Sequence, residues 1–168
     1  MRTGFGERLG SIACRLISWA LIALCVWMIH GFSLQDAERS GALSLEVTDV
    51  VARLMQPEGK INRNADSFIQ LHNYVRKGAH ALEYALLAMA AMLALATSRM
   101  RTGRKLLLIL ILCAAFAGYD EWSQAMSLGR SPAIRDVAID TAGALAGCLF
   151  ALFVRLMTLW ALGAAKKP

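Results

Sequence analysis

The chain has 168 residues, 57% of them apolar, a positive mean hydropathy and a formal net charge of +6. The length allows one domain, and the apolar share lies far above that of a soluble one, so the chain reads as an integral membrane protein. The charge does not point to nucleic acid: there is no basic groove interleaved with aromatics, and the basic residues sit beside apolar runs, where membrane orientation needs them.

Arg2, Arg8 and Arg15 flank the start of the first apolar run, Ile12 to Leu34. It resembles a secretory signal at first sight, but no small-x-small cleavage site follows Ile29 and the run is long enough to span a bilayer, so an uncleaved helix is expected. Trp19 and Trp27 suit its two interfaces, although packing in a core suits them equally. His30, near its end, reads as an interfacial histidine. Cys14, Cys25, Cys113 and Cys148 have no CxxC spacing and read as small hydrophobes.

Gln35 to Lys77 is a long polar connection with a turn at Pro57, Glu58 and Gly59. Before the turn Leu43, Val47, Val50, Val51 and Leu54 recur at helical spacing, which predicts an amphipathic helix begun by Ser44 as N-cap. After it, Asp66 or Ser67 is placed to cap a helix that runs on through Phe68, Leu71 and Val75 into the second span, 79–97. On that helix Lys77, His80 and Tyr84 share a stripe, with Glu83 three residues after His80.

Arg99, Arg101, Arg104 and Lys105 mark a basic connection without an acid. The third span, 106–125, ends in Asp120, Glu121 and Gln124 on one face. Gly129, Arg130, Ser131 and Pro132 then break the chain, with Ser131 as N-cap and Pro132 as first helical residue ahead of the fourth span, 134–162. There Asp136, Asp140, Gly143 and Gly147 form a narrow stripe whose glycines permit close helix approach. Plain packing explains that stripe as well.

Cytoplasmic termini place nearly all these basic residues inside, against the single acid Glu7, and the other acids at the outer ends of the helices. The expected fold is all-α: one membrane domain over 1–168, a four-helix transmembrane bundle in the inner membrane, with an amphipathic extracytoplasmic helix between the first two spans.

The block Lys77, His80, Glu83, Tyr84, then Asp120-Glu121-x-x-Gln124, Gly129-Arg130-Ser131 and Asp136-x-x-x-Asp140-x-x-Gly143 resembles the VanZ-like family. Phe32-Ser33-Leu34-Gln35, with Ser40 and Ser44, is similar to that family's serine-containing segment after the first helix. Asp140 stands where many relatives have Asn, and it adds a charge. The resemblance implies four membrane helices and a place in the bacterial envelope. It also implies a family link to low-level resistance to the glycopeptide teicoplanin, with no settled reaction.

Three functions compete. The first is recognition of an anionic lipid, amphiphile or lipid-linked envelope precursor, through Arg130, Ser131 and Arg135 at the positive N-terminus of the last helix, with Lys77, Tyr84, Gln124, Asp136 and Asp140 beside them. Pairing of Arg130 and Arg135 with Asp120, Glu121 or Asp136 is the structural counterpart. The second is acid–base catalysis on such a lipid by His80, Glu83, Asp120 and Glu121, without a serine or cysteine nucleophile. The third is a non-catalytic scaffold whose polar residues bond helix to helix or bind a partner. The acids and His80 are also the ingredients of a metal site, but with one suitably placed histidine and no HExxH no metal is assigned, and no cofactor is implied. No protein partner can be named.

Overall fold

A computed structural model describes residues 3–34, 37–57, 61–126 and 133–164, with side chains for 12–34, 41–57, 61–124, 126 and 133–163. Among the described residues every regular element is an α-helix: α1 (Thr3–Ser33), α2 (Ala37–Met55), α3 (Asp66–Ala94), α4 (Thr102–Ala125) and α5 (Ile134–Ala164). Three are long and apolar enough to cross a membrane, over Ile12–Ser33, Thr102–Gln124 and Ile134–Gly163. The helix that carries the expected second span, α3, is not among them, because Asp66, His72, Arg76, Lys77, His80 and Glu83 occupy it from its start to beyond its middle.

α3 is the hub. It packs most extensively on α5 and also touches α1, α2 and α4. The reason is small side chains at one face: Gly143 and Gly147 of α5 lie against the main chain of Ala81 and Ala85 of α3. A Cβ added at Gly143 would fall onto the Ala81 carbonyl and 2.7 Å from its Cα, and the same holds for Gly147 and Ala85. Backbones that approach this closely gain dispersion contacts along the whole crossing, which is how helices associate where the surroundings are as apolar as leucine. Tyr84, Ala88, Ala144 and Cys148 are completely buried beside it. The four cysteines are free thiols, Cys113 and Cys148 in the core.

By contrast α1 buries little: Trp19 and Trp27 are exposed, and among its described side chains only Ser18, Ile29 and Ser33 are buried. Its apolar outer surface needs lipid around it. The basic turn between α3 and α4 is tied down at one end of the bundle. Lys105, 3% exposed, donates from Nζ to the Leu95 carbonyl at 2.6 Å, closing the C-terminus of α3 where a cation is favoured. Arg15 Nε of α1 reaches Thr97 Oγ1 at 3.0 Å across the same end.

Two helix starts differ from expectation. α2 begins at Ala37, not at Ser44, because Ala37, Glu38 and Arg39 are good helix formers and extend the helix backwards. Ser44 then lies inside it and its hydroxyl donates to the Gly41 carbonyl at 3.0 Å. At α3 the N-cap is Ala65, which has no side-chain cap, while Asp66 is the first helical residue, where its charge complements the helix dipole.

α2 docks on α3 through its small polar face: buried Thr48 donates to the Ser44 carbonyl at 2.7 Å and lies 3.2 Å from His72 Nδ1. Leu43, Val47, Val50 and Leu54 are exposed, and Leu43 and Val47 line a cavity against α3. The turn that follows is held by Arg63, which donates with Nε to Asp49 Oδ1 at 3.2 Å and with a second nitrogen to Oδ2. That guanidinium holds the Asp49 carboxyl below its ordinary 3.8. A lowered carboxyl adds stability that is complete above about pH 4 and disappears as pH falls through the lowered value. Arg63→Gln is expected to return Asp49 to the ordinary range in a carboxyl NMR titration; an unmoved titration would refute the pair.

Candidate functional site

At the end of the bundle opposite the basic turn, α4 delivers Asp120, Glu121, Ser123 and Gln124 to the interior, all four buried. Asp120 is fixed from several sides. Gln124 Nε2, one turn on, donates to Asp120 Oδ2 at 2.9 Å. The Ser123 hydroxyl donates to the Asp120 carbonyl at 2.8 Å, and Ser33 of α1 donates to the same carbonyl at 3.3 Å. Ser33 and Ser123 themselves lie 3.4 Å apart. Asp140 of α5 is 4% exposed and Tyr84 of α3 is fully buried.

Glu121 turns the other way and reaches the next helix, where its Oε1 accepts the Ala133 N–H at 2.6 Å, immediately before α5 begins. The positive end of α5 is therefore met by a carboxylate of the chain itself, an arrangement of charge and dipole that favours both partners.

His80 and Glu83 of α3 are only partly buried. Nδ1 of His80 is 4.0 Å from Oε2 of Glu83, and each side chain is about a quarter exposed. They open onto a cavity of about 360 Å³ between the end of α1, α2 and α3. Arg76, His80, Glu83 and Ser44 give its wall polar atoms, while Phe32, Leu43, Val47 and Val75 give it an apolar side. A second, wholly apolar cavity of about 350 Å³ runs between α1, α3 and α4, from Trp19 and Leu108 to Val26 and Phe116. Phe116 stacks on Tyr119 and lies tilted against Tyr84, and Tyr119 stacks on His30 at 5.9 Å.

The structure therefore brings Asp120, Gln124, Tyr84 and Asp140 into the interior and sets Glu121 at the α4–α5 junction. Lys77 and Asp136 are half-buried and Arg135 is exposed. Arg130 and Ser131, with Pro132, lie outside the described residues. Sequence reasoning gave no role to Ser123 or Arg76 and read His30 only as an interfacial residue. Ser33 belongs to the serine-containing segment after the first helix, but its bond to α4 has no local signal. Among the described residues no group of three or more His, Cys, Asp and Glu side chains is arranged to hold a metal ion.

A family model described as VanZ/LLP1 matches residues 18–155, from the first helix well into the last. The chain belongs to the VanZ/LLP1 family. No curated protein and no solved structure matches it. The matched stretch contains every described residue of the acidic end, so in this VanZ/LLP1 protein the cluster is part of the family domain. The membership agrees with three helices long and apolar enough to cross a membrane.

Proposed function

We propose that this VanZ/LLP1 protein spans the bacterial inner membrane four times, through α1, α3, α4 and α5, with its basic end and both termini in the cytoplasm. Its outer, acidic end recognises an anionic lipid, a lipid-linked envelope precursor or a similar amphiphile. α2 lies on that outer side with its apolar stripe toward the bilayer interface.

The observation that carries this reading is the 360 Å³ cavity, which joins Arg76 and His80, with the acids Glu46 and Glu83 beside them, to an apolar wall. An arginine beside a hydrocarbon surface suits a phosphate or carboxylate head group on a lipid, since guanidinium forms paired bonds to either anion. The apolar groove between α1, α3 and α4 offers a chain a place to lie. Recognition at the start of α5 is the weaker form of the idea, because Glu121 already meets that helix end. The family link to teicoplanin susceptibility fits a protein that handles envelope amphiphiles.

An acid–base enzyme on such a lipid is the second reading. It is favoured by the His80–Glu83 pair, which opens onto the same cavity at 4.0 Å separation. A carboxylate at that distance can orient the ring and tune it for proton transfer.

The test is native mass spectrometry with lipid identification on the purified protein, Arg76→Ala and His80→Ala. The wild type is expected to carry a specific anionic lipid, reduced about 10-fold or more in Arg76→Ala, the size expected from one lost charge-assisted bond. Retention in His80→Ala leaves that histidine available for chemistry. A wild type that carries no enriched anionic lipid would overturn the recognition reading.

A further inference from the structure

The apolar groove between α1, α3 and α4 lies toward the basic end of the bundle. It runs from Trp19, Leu95 and Leu108 to Val26 and Phe116, about 10 Å along α1, whereas the hydrocarbon of one leaflet is about 15 Å deep. Each residue at its near end is linked to a cation. Arg15, one turn before Trp19, donates to Thr97 just beyond Leu95 at 3.0 Å; Leu95 gives its carbonyl to Lys105; and Arg104 stands one turn before Leu108 on the same face of α4. Leu87, Ile109 and Cys113 form a buried floor, while Trp19, Leu108 and Leu112 are exposed along the rim. In a bilayer, what lies against such a rim is a lipid chain.

The basic end says which lipid. Arg15, Arg99, Arg101 and Arg104 are exposed there, as is Arg155 of α5, while Lys105 is buried and committed to α3. No acid occurs between Arg8 and Gln35 or between Tyr84 and Tyr119. Glu7 is the one acid on this side, and its side chain is outside the described residues. α4 also begins here, and its N-cap, Arg101, supplies no side-chain hydrogen bond to the first turn. A helix start without a side-chain cap presents N–H groups and a positive dipole end, which favour an anion.

We propose that this groove holds one acyl chain of an anionic glycerophospholipid, whose phosphate is bound at the basic end by Arg15, Arg104 and the start of α4. Basic pockets between membrane helices take such head groups, and guanidinium pairs well with phosphate. The bound lipid fills the space between α1 and α4, which touch each other less than either touches its main partner. The site does not depend on recognition at the outer end, because the Arg76 cavity has an apolar wall of its own.

The test uses the groove's own tryptophan. Trp27, Trp122 and Trp160 are exposed, so their replacement by Phe leaves Trp19 as the sole indole at little cost to the fold. This protein is placed in phosphatidylcholine bilayers that contain either dibrominated phosphatidylglycerol or dibrominated phosphatidylcholine at equal mole fraction, and quenching of Trp19 is measured. The glycerol lipid is expected to be preferred at Trp19 about 5-fold or more, the enrichment that one arginine near an anionic surface supports.

Arg15→Gln with Arg104→Gln is expected to make the two lipids quench alike. Ala91→Phe fills the groove without touching a charge and is expected to lower the preference; Ala94→Leu repeats that test with a smaller side chain, and melting confirms that each variant is folded. Arg76→Ala is expected to keep the preference, which separates this site from the outer cavity. Equal quenching by both lipids in the folded single-tryptophan protein would overturn the proposal. So would a preference that survives the double arginine variant or both groove-filling variants, or one that disappears with Arg76→Ala.

Discussion

Gly143→Ala is expected to destabilise the protein by about 1 to 3 kcal/mol, the usual cost of overfilling a packed interior. Helix propensity predicts the opposite sign, because alanine is the better helix former by about 1 kcal/mol in a helix interior. Packing decides here: the new methyl meets the carbonyl, Cα and carbonyl carbon of Ala81, which are main-chain atoms and cannot swing aside as a flexible side chain would. α3 and α5 must therefore separate or slide. Gly163→Ala is the matched control, in the same helix with nothing within 4 Å of the added atom, and is expected to be neutral. Melting of both variants in detergent checks the pair, and equal melting would mean that the close crossing is not what holds α3 to α5.

Glu121→Ala is expected to cost about 2 kcal/mol, the worth of a hydrogen bond to a charged group that leaves a donor behind. The loss arises at the Ala133 N–H, which the carboxylate accepts at 2.6 Å where α5 begins. Glu121→Gln keeps an acceptor of similar shape but not the charge, so about half of the loss should return. The same two variants separate positioning from chemistry. If Glu121 serves only to start α5, Gln restores both fold and lipid retention. If Glu121 transfers protons, Gln restores the fold alone. A Glu121→Ala protein that melts like the wild type would show that α5 does not need this cap.

Much of the helical plan is visible in residue order. Absence of proline and long apolar runs mark α1, α4 and α5, and the repeat from Gly143 to Gly147 marks a surface made for close approach. Spacing within one helix also puts His80 beside Glu83 and Gln124 beside Asp120. What residue order hides is which helices meet. Nothing local tells that Ser33 bonds to the Asp120 carbonyl or that His30 stacks on Tyr119. Nothing local tells that α2 meets α3 with Thr48. The N-cap expected at Ser44 fails for a related reason: a capping residue is one signal, and the helix formers ahead of it are the stronger one. Arg76 escapes notice because a lone arginine on a half-polar helix has no pattern; its place on a cavity wall comes from tertiary structure alone.

The dominance of the α3–α5 crossing also sets an order of events during synthesis. A ribosome releases α3 well before α5, so the small-residue face of α3 emerges before its main partner exists. Throughout that interval Ala81 and Ala85 have no Gly143 or Gly147 to meet. A nascent chain stopped just after Ala125 thus holds all of α3 and α4 but none of α5. The most extensive packing surface of the bundle is therefore the last to form.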